Sequence, residues 1–321
     1  MGLIFAYIVV ATTVVMLSIK ASNYVDLLDK NTRLSGAFLG GVLLSAVTSL
    51  PELFTSISST LLISKPSLCI GNILGSNLFN LAVLALVGLF SIRHFSRSKI
   101  SRSNIAVALF VTLIYGASIL NWFNIANFEI ATINILTIII IVLYICGVRF
   151  LSNDNDEPQS ECCNTPAETD KSKVQKIVIK FILTSIGIIV SSIAMTYISD
   201  NISLRYNIGL GLTGAIFLGV ATSLPEVSST IALFRLRNYN AAVGNIIGSN
   251  LFNFLVLCIV DMLCMHSDIY DFSDSKVENL LTFGTVATLA TLYMLQSNKR
   301  VTKILCIFGA VACYIAFLMV D

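Results

Sequence analysis

The sequence predicts an all-α membrane protein of ten transmembrane helices, arranged as two inverted five-helix repeats. Three observations predict it. Of 321 residues, 56% are hydrophobic and only 12% charged, and the mean hydropathy is +0.86. That leaves too few polar side chains to cover a soluble globule. Two blocks of the first half recur in the second: T-S-L-P-E at Thr48–Glu52 and again at Thr222–Glu226, and G-N-I-L-G-S-N-L-F-N at Gly71–Asn80, returning at Gly244–Asn253 with only Leu74 changed to Ile247. One polar stretch, Ser152–Ser172, divides the chain between the two copies.

Crossing the hydrocarbon takes about 20 apolar residues. Such stretches run over 3–19, 36–63, 67–92, 104–121 and 127–148, then over 177–198, 208–234, 241–264, 280–296 and 302–320. The first lacks a basic leader and a small-residue cleavage site, so it reads as a retained helix rather than a signal peptide. Five spans precede the acidic, proline-containing stretch and five follow. The expected organisation is therefore a first membrane repeat over 1–151, a linker over 152–175 and a second membrane repeat over 176–321. Because five is odd, the second repeat threads the bilayer in the opposite sense. Inverted repeats of this kind place a binding site near the midplane, between the halves.

The basic residues sort by loop. All of the 20 Lys and Arg except Lys65, Arg205 and Lys276 fall on one face of this topology. The positive-inside bias makes that face, and the linker, cytoplasmic and turns both termini outward. With no organelle signal in the sequence, the expected location is the plasma (inner) membrane. A net charge of +2 spread over loops forms no nucleic-acid patch, and nothing implies an obligate protein partner besides the lipid bilayer.

The duplicated blocks carry the chemistry. Each places a glutamate inside an apolar span, where an ionised side chain costs on the order of 2.5–3.5 kcal/mol or more. Thr48 and Glu52, Ser76 and Asn80, Thr222 and Glu226, and Ser249 and Asn253 are each four apart, so each pair shares a helix face. Together with Ser49 and Ser223 they offer carboxylate, amide and hydroxyl oxygens, the donor set preferred by hard cations such as calcium and sodium. Softer metals would call for His or thiolate, and the only histidines are His94 and His266, both near loops. Pro51 and Pro225 lie inside spans and release the carbonyls of Val47 and Ala221, which can line a wet cavity. Two ionised glutamates balance one calcium or two sodium ions. In the absence of metal, two close carboxylates tend to share a proton, which leaves cation/proton exchange open.

The remaining features read plainly. Gly71, Gly75, Gly244 and Gly248 form G-x-x-x-G steps suited to close helix contact. The acidic residues Asp261, Asp268, Asp271, Asp274 and Glu278 read as solvated loop. Cys162 and Cys163, in the linker, read as reduced thiols. There is no H-E-x-x-H, no nucleophile paired with a nearby histidine and no aspartate pair in a span, so enzymatic chemistry is not expected.

T-S-L-P-E followed by G-N-x-x-G-S-N-x-x-N, twice in a ten-span chain, resembles the alpha repeats of the sodium/calcium exchangers, in the calcium:cation antiporter superfamily, especially its short prokaryotic-type members. The resemblance covers essentially the whole chain. It implies alternating-access exchange of calcium against sodium, with those ions as cargo and no cofactor. It further implies Glu52 and Glu226 as central carboxylates, Thr48, Ser49, Thr222 and Ser223 as flanking ligands or gate residues, Ser76 and Ser249 at outer sodium positions, and Asn80 and Asn253 completing the centre. Two departures stand out. Several relatives carry Asp at the position of Asn253, and the amide here argues against potassium co-transport. Relatives usually have glycine before the threonine, where this chain has Val47 and Ala221.

Overall fold

The computed structural model describes residues 2–32, 34–61, 66–123, 125, 129–130, 133–153, 171–205, 222–263, 269–270, 272 and 274–320. They form α1 (Gly2–Asn31), α2 (Gly36–Phe38), a π-helical segment (Leu39–Leu44), α3 (Ser45–Thr48), α4 (Leu50–Leu61), α5 (Pro66–Phe90), α6 (Ile92–Phe95) and α7 (Arg102–Trp122). A two-residue ribbon pairs β1 (Glu129–Ile130) with β2 (Ile133–Asn134). Then come α8 (Ile135–Ser152), α9 (Lys171–Arg205), α10 (Leu224–Arg235), α11 (Tyr239–Leu263), α12 (Ser275–Gln296) and α13 (Arg300–Val320).

Among the described residues, eight helical stretches are long and apolar enough to cross a membrane, against the ten expected. The seventh predicted stretch, 208–234, is described only from Thr222 onward, so the Ala221 carbonyl lies outside the described residues. The ninth, α12, has the length at 22 residues, but Thr282, Thr285, Thr288 and Thr291 dilute its hydropathy. Each of those hydroxyls donates to the carbonyl four residues earlier, at 2.6–3.0 Å, so none is left unpaired against apolar surroundings.

Three boundaries differ from the sequence reading for physical reasons. α1 continues to Asn31 rather than stopping near residue 19, because Ser22, Asp26 and Asp29 lie on its buried face. α8 begins at Ile135 rather than 127, where the Asn134 side chain caps it by accepting from the Leu136 N–H. α9 is 35 residues long and begins at Lys171, so 171–175 of the expected linker is helix. At about 1.5 Å per residue it exceeds the hydrocarbon thickness by several turns. The segment 154–170, with Cys162 and Cys163, lies outside the described residues. Asp261, read as loop, instead ends α11 and accepts from the Thr137 hydroxyl at 2.6 Å.

α11 is the hub. It packs against the π-helical segment, α5, α7, α8 and α10, while α1 packs along α9 and α10. Two glycine contacts let α11 sit directly on the broken second helix: a Cβ at Gly40 would strike the Ala241 carbonyl, and one at Gly248 would strike that of Gly41. The π turn, where the Ser45 N–H reaches back to the Gly40 carbonyl, is where these backbones meet. Such turns shift the helical register locally.

The end of α1 is clasped to the turn between α10 and α11. There the chain reverses through Arg237, at φ 60°, with the Asn238 N–H bonded to the Leu233 carbonyl at 3.0 Å, the bonding that closes a helix onto a left-handed residue. The Asn238 amide donates to Asp26 at 3.1 Å and to Asp29 at 2.8 Å, and Lys30 pairs with Asp26 at 2.6 Å. Asn238→Ala removes both amide bonds from buried carboxylates and is expected to lower stability by about 1–3 kcal/mol. Thermal unfolding of the purified protein checks this; an unchanged midpoint would mean the clasp carries no weight.

Candidate cation-binding site

The two T-S-L-P-E blocks turn in the same way. Ser49 sits at φ −92°, ψ 4° and Ser223 at φ −88°, ψ 5°, each between a threonine and the Leu-Pro pair. A proline two residues on supplies no N–H to continue the helix. The serines therefore adopt the bridge conformation, and a fresh helix starts with Glu52 or Glu226 in its first turn.

That turn sends each serine across to the opposite copy. The Ser49 hydroxyl donates to Glu226 Oε1 at 3.0 Å, and the Ser223 hydroxyl to Glu52 Oε1 at 3.2 Å. Ser223 also meets the Ser76 hydroxyl at 3.4 Å, and Thr48 meets Ser249 at 3.4 Å. Each glutamate is thus tied to the serine three residues before the other glutamate. All ten residues singled out from the sequence are buried, none more than 4% exposed.

Four oxygens in this cluster are left over. Glu52 Oε2, Glu226 Oε2, Asn80 Oδ1 and Asn253 Oδ1 are buried and accept no hydrogen bond. A buried acceptor without a partner costs about 1–3 kcal/mol, more when charged. These four, two from each sequence copy, are acceptors that a cation or a hydrogen-bond donor would satisfy.

Sequence reasoning overlooked Asn77 and Asn250, the first asparagine of each G-S-N-L-F-N. Both are 0% exposed, and they bind the second asparagine of the opposite copy. The Asn80 amide donates to Asn250 Oδ1 at 3.0 Å, and the Asn253 amide to Asn77 Oδ1 at 2.9 Å. The repetition of both asparagines was the available signal; reading only the four-residue spacing passed over it. Asn245 was missed for the same reason. It is 0% exposed, and its amide bonds the Thr230 hydroxyl at 3.1 Å and the Glu226 carbonyl at 3.4 Å, steadying α10 behind the carboxylate.

A bundle of apolar helices that buries two carboxylates beside the turns at Ser49 and Ser223, and two free amide carbonyls on α5 and α11, defines a class: an integral, multi-pass membrane protein handling cations. Comparison with known proteins narrows the class to a family. The family model described as sodium/calcium exchanger protein matches residues 2–152 and 176–320, and the chain belongs to that family, whose members are transporters rather than enzymes and need no cofactor. It is 26% identical over 227 residues to the inner membrane protein YrbG of Escherichia coli (strain K12), covering 68% of this chain and 66% of that protein. It is 24% identical over 241 residues to the uncharacterized membrane protein MJ0091 of Methanocaldococcus jannaschii, covering 74% of each. Its fold is similar to that of the sodium-calcium exchanger NCX_Mj. The TM-score is 0.73 at 20% identity, over 97% of both chains, for crystals soaked with 10 mM Na+ and zero Ca2+, and 0.68 at 21% identity, over 98% of both, for crystals soaked with neither ion.

Proposed function

We propose that this protein is a secondary antiporter that exchanges calcium for sodium by alternating access, through ten spans arranged as two inverted repeats. The observation that carries the reading is the set of four buried, unpartnered oxygens on Glu52, Glu226, Asn80 and Asn253. Two carboxylates neutralise one calcium or two sodium ions, and the amide carbonyls add neutral oxygens of the kind calcium gathers, about six to eight in number. Thr48, Ser49, Thr222 and Ser223 flank the centre, and Ser76 and Ser249 extend it along α5 and α11 as further sodium ligands. Because one set of oxygens serves both cargoes, only one can occupy it at a time. Coupling of the opposed fluxes then follows from competition between them, provided the empty carboxylate pair does not cross unaided.

The same carboxylate pair supports a second reading, calcium (cation)/proton exchange, since close glutamates share protons readily. Calcium uptake into inverted membrane vesicles separates the two. An imposed sodium gradient is expected to drive uptake and a proton gradient alone is not; the opposite result would make the protein a proton-coupled antiporter. In the same assay Asn253→Asp, which adds a charge to the centre, is expected to change the counter-ion preference. An unchanged ion profile would show that the position contacts no ion. The orientation proposed is the one the basic loops imply, with the linker cytoplasmic, both termini outward and the protein in the plasma (inner) membrane.

A further inference from the structure

Four asparagines form a pseudo-twofold network between α5 and α11, a ring closed by Asn77 and Asn250 with Asn80 and Asn253 each hanging from it by one bond. Its bonds run in one direction only, because two of the acceptors are backbone carbonyls. The Asn250 side-chain amide donates to the main-chain carbonyl of Asn77 at 3.1 Å, and the Asn77 amide to that of Asn250 at 3.4 Å. A carbonyl can only accept, so the NH2 of each inner asparagine must occupy the amide position nearest that carbonyl, which fixes its Oδ1 at the other position. That Oδ1 in turn can only accept, which obliges Asn253 and Asn80 to present their NH2 groups to it. The last link is the consequence: Asn253 Oδ1 and Asn80 Oδ1 are turned away from the ring, and of the four asparagines' side-chain oxygens these two are left without a partner.

We infer that Asn77 and Asn250 are positioning residues for cation selectivity, locking the Asn253 and Asn80 amides with oxygen rather than nitrogen toward the ion. An amide is nearly symmetric in shape, so packing alone does not choose between its two orientations, yet reversing it exchanges a cation ligand for a pair of donors that repel the ion. The locking is crosswise, each inner asparagine governing the liganding amide on the other helix. The inference rests on the carrier reading of the same site and adds residues that touch no ion themselves.

A double-mutant cycle on the full-length protein tests it. The half-saturating calcium concentration for transport in vesicles is the first readout, and calcium-dependent thermal stabilisation of purified protein, which needs no transport, is the second. Asn77→Leu and Asn250→Leu keep the branched side-chain skeleton but remove the acceptor together with the amide donor. Each is expected to raise the half-saturating calcium about tenfold, the scale of one buried hydrogen bond, with turnover at saturating calcium largely kept. In an Asn253→Ala background, Asn77→Leu should add less than about twofold, while in an Asn80→Ala background it should retain its full effect; Asn250→Leu should behave in the reverse way. A packing role would instead give effects that multiply in both backgrounds or couple 77 with 80 along one helix, and either pattern overturns the inference. If the leucine variants do not fold, Asn77→Ser and Asn250→Ser, which withdraw the acceptor without setting carbon against the backbone carbonyl, run the same cycle. Wild-type protein neither transporting nor stabilised by calcium or sodium contradicts the carrier reading; cation-responsive wild type without the crosswise pattern contradicts only the roles of Asn77 and Asn250.

Discussion

Glu226→Gln and Glu52→Gln are each expected to reduce calcium transport at least a hundredfold while making the cation-free protein more resistant to heat. The two effects have one cause. Each carboxylate has an oxygen held by a serine of the opposite copy and another with no hydrogen-bond partner, a charged group buried in a bilayer for the sake of a ligand. Glutamine keeps the acceptor for the serine and removes the charge that the empty pair, even sharing a proton, still carries, a gain in the empty state. It also replaces one ion-facing oxygen with an NH2 group and halves the site's negative charge, and a divalent cation facing a single carboxylate loses several kcal/mol of attraction. Melting curves with and without calcium, alongside vesicle uptake, check both halves. Full uptake in either variant, or a variant less stable than wild type without calcium, would show that the glutamates are structural rather than liganding.

The second large effect is expected at Gly248, where α11 rests on the backbone of the π-helical segment. An alanine Cβ there runs into the Gly41 carbonyl, and one at Gly244 would lie 2.9 Å from both the Ala37 carbonyl and the Gly41 nitrogen. Backbone atoms cannot rotate out of the way, unlike a side chain, so either α11 moves off the second helix or the π turn unwinds. Gly248→Ala is expected to destabilise by about 3 kcal/mol or more, the upper range for overpacking. It should also disable transport, because Ser249, Asn250 and Asn253 follow within the next turn and a half. The yield of monodisperse protein and its unfolding midpoint measure the first effect. A Gly248→Ala protein with wild-type stability would mean that this contact is looser than the glycine geometry indicates.

Much of the site was legible because it is written twice. A glutamate beside a proline in an apolar span is ambiguous alone; recurring 174 residues later, followed by the same G-S-N-L-F-N, it marks a pair of faces that meet. Helical spacing then gave Thr48, Ser76, Asn80 and their counterparts, all of which are buried at the centre. What periodicity could not show is anything that crosses between the copies. Ser49 binds Glu226 rather than its own neighbour Glu52, a choice made by the turn at Ser49 and by how closely α10 approaches, not by spacing. The G-x-x-x-G spacing implies close packing at both copies, but only Gly244 and Gly248 pack against backbone, while a Cβ at Gly71 or Gly75 would meet nothing within 4 Å, and the π turn leaves no trace in hydropathy. Helix ends failed where polar residues are buried by partners instead of solvated: the sequence of α1 turns polar after Ile19, yet Asp26 and Asp29 continue the helix because Asn238, more than 200 residues away, is there to bind them.

The most direct test of the account is the anomalous-scattering map of crystals soaked in calcium, collected at a wavelength long enough for calcium to scatter anomalously. The account predicts one strong peak between Glu52 Oε2 and Glu226 Oε2, with carboxylate and amide oxygens, Asn80 and Asn253 among them, at about 2.3–2.6 Å. A peak elsewhere in the chain, or none at calcium concentrations that saturate transport, would contradict it.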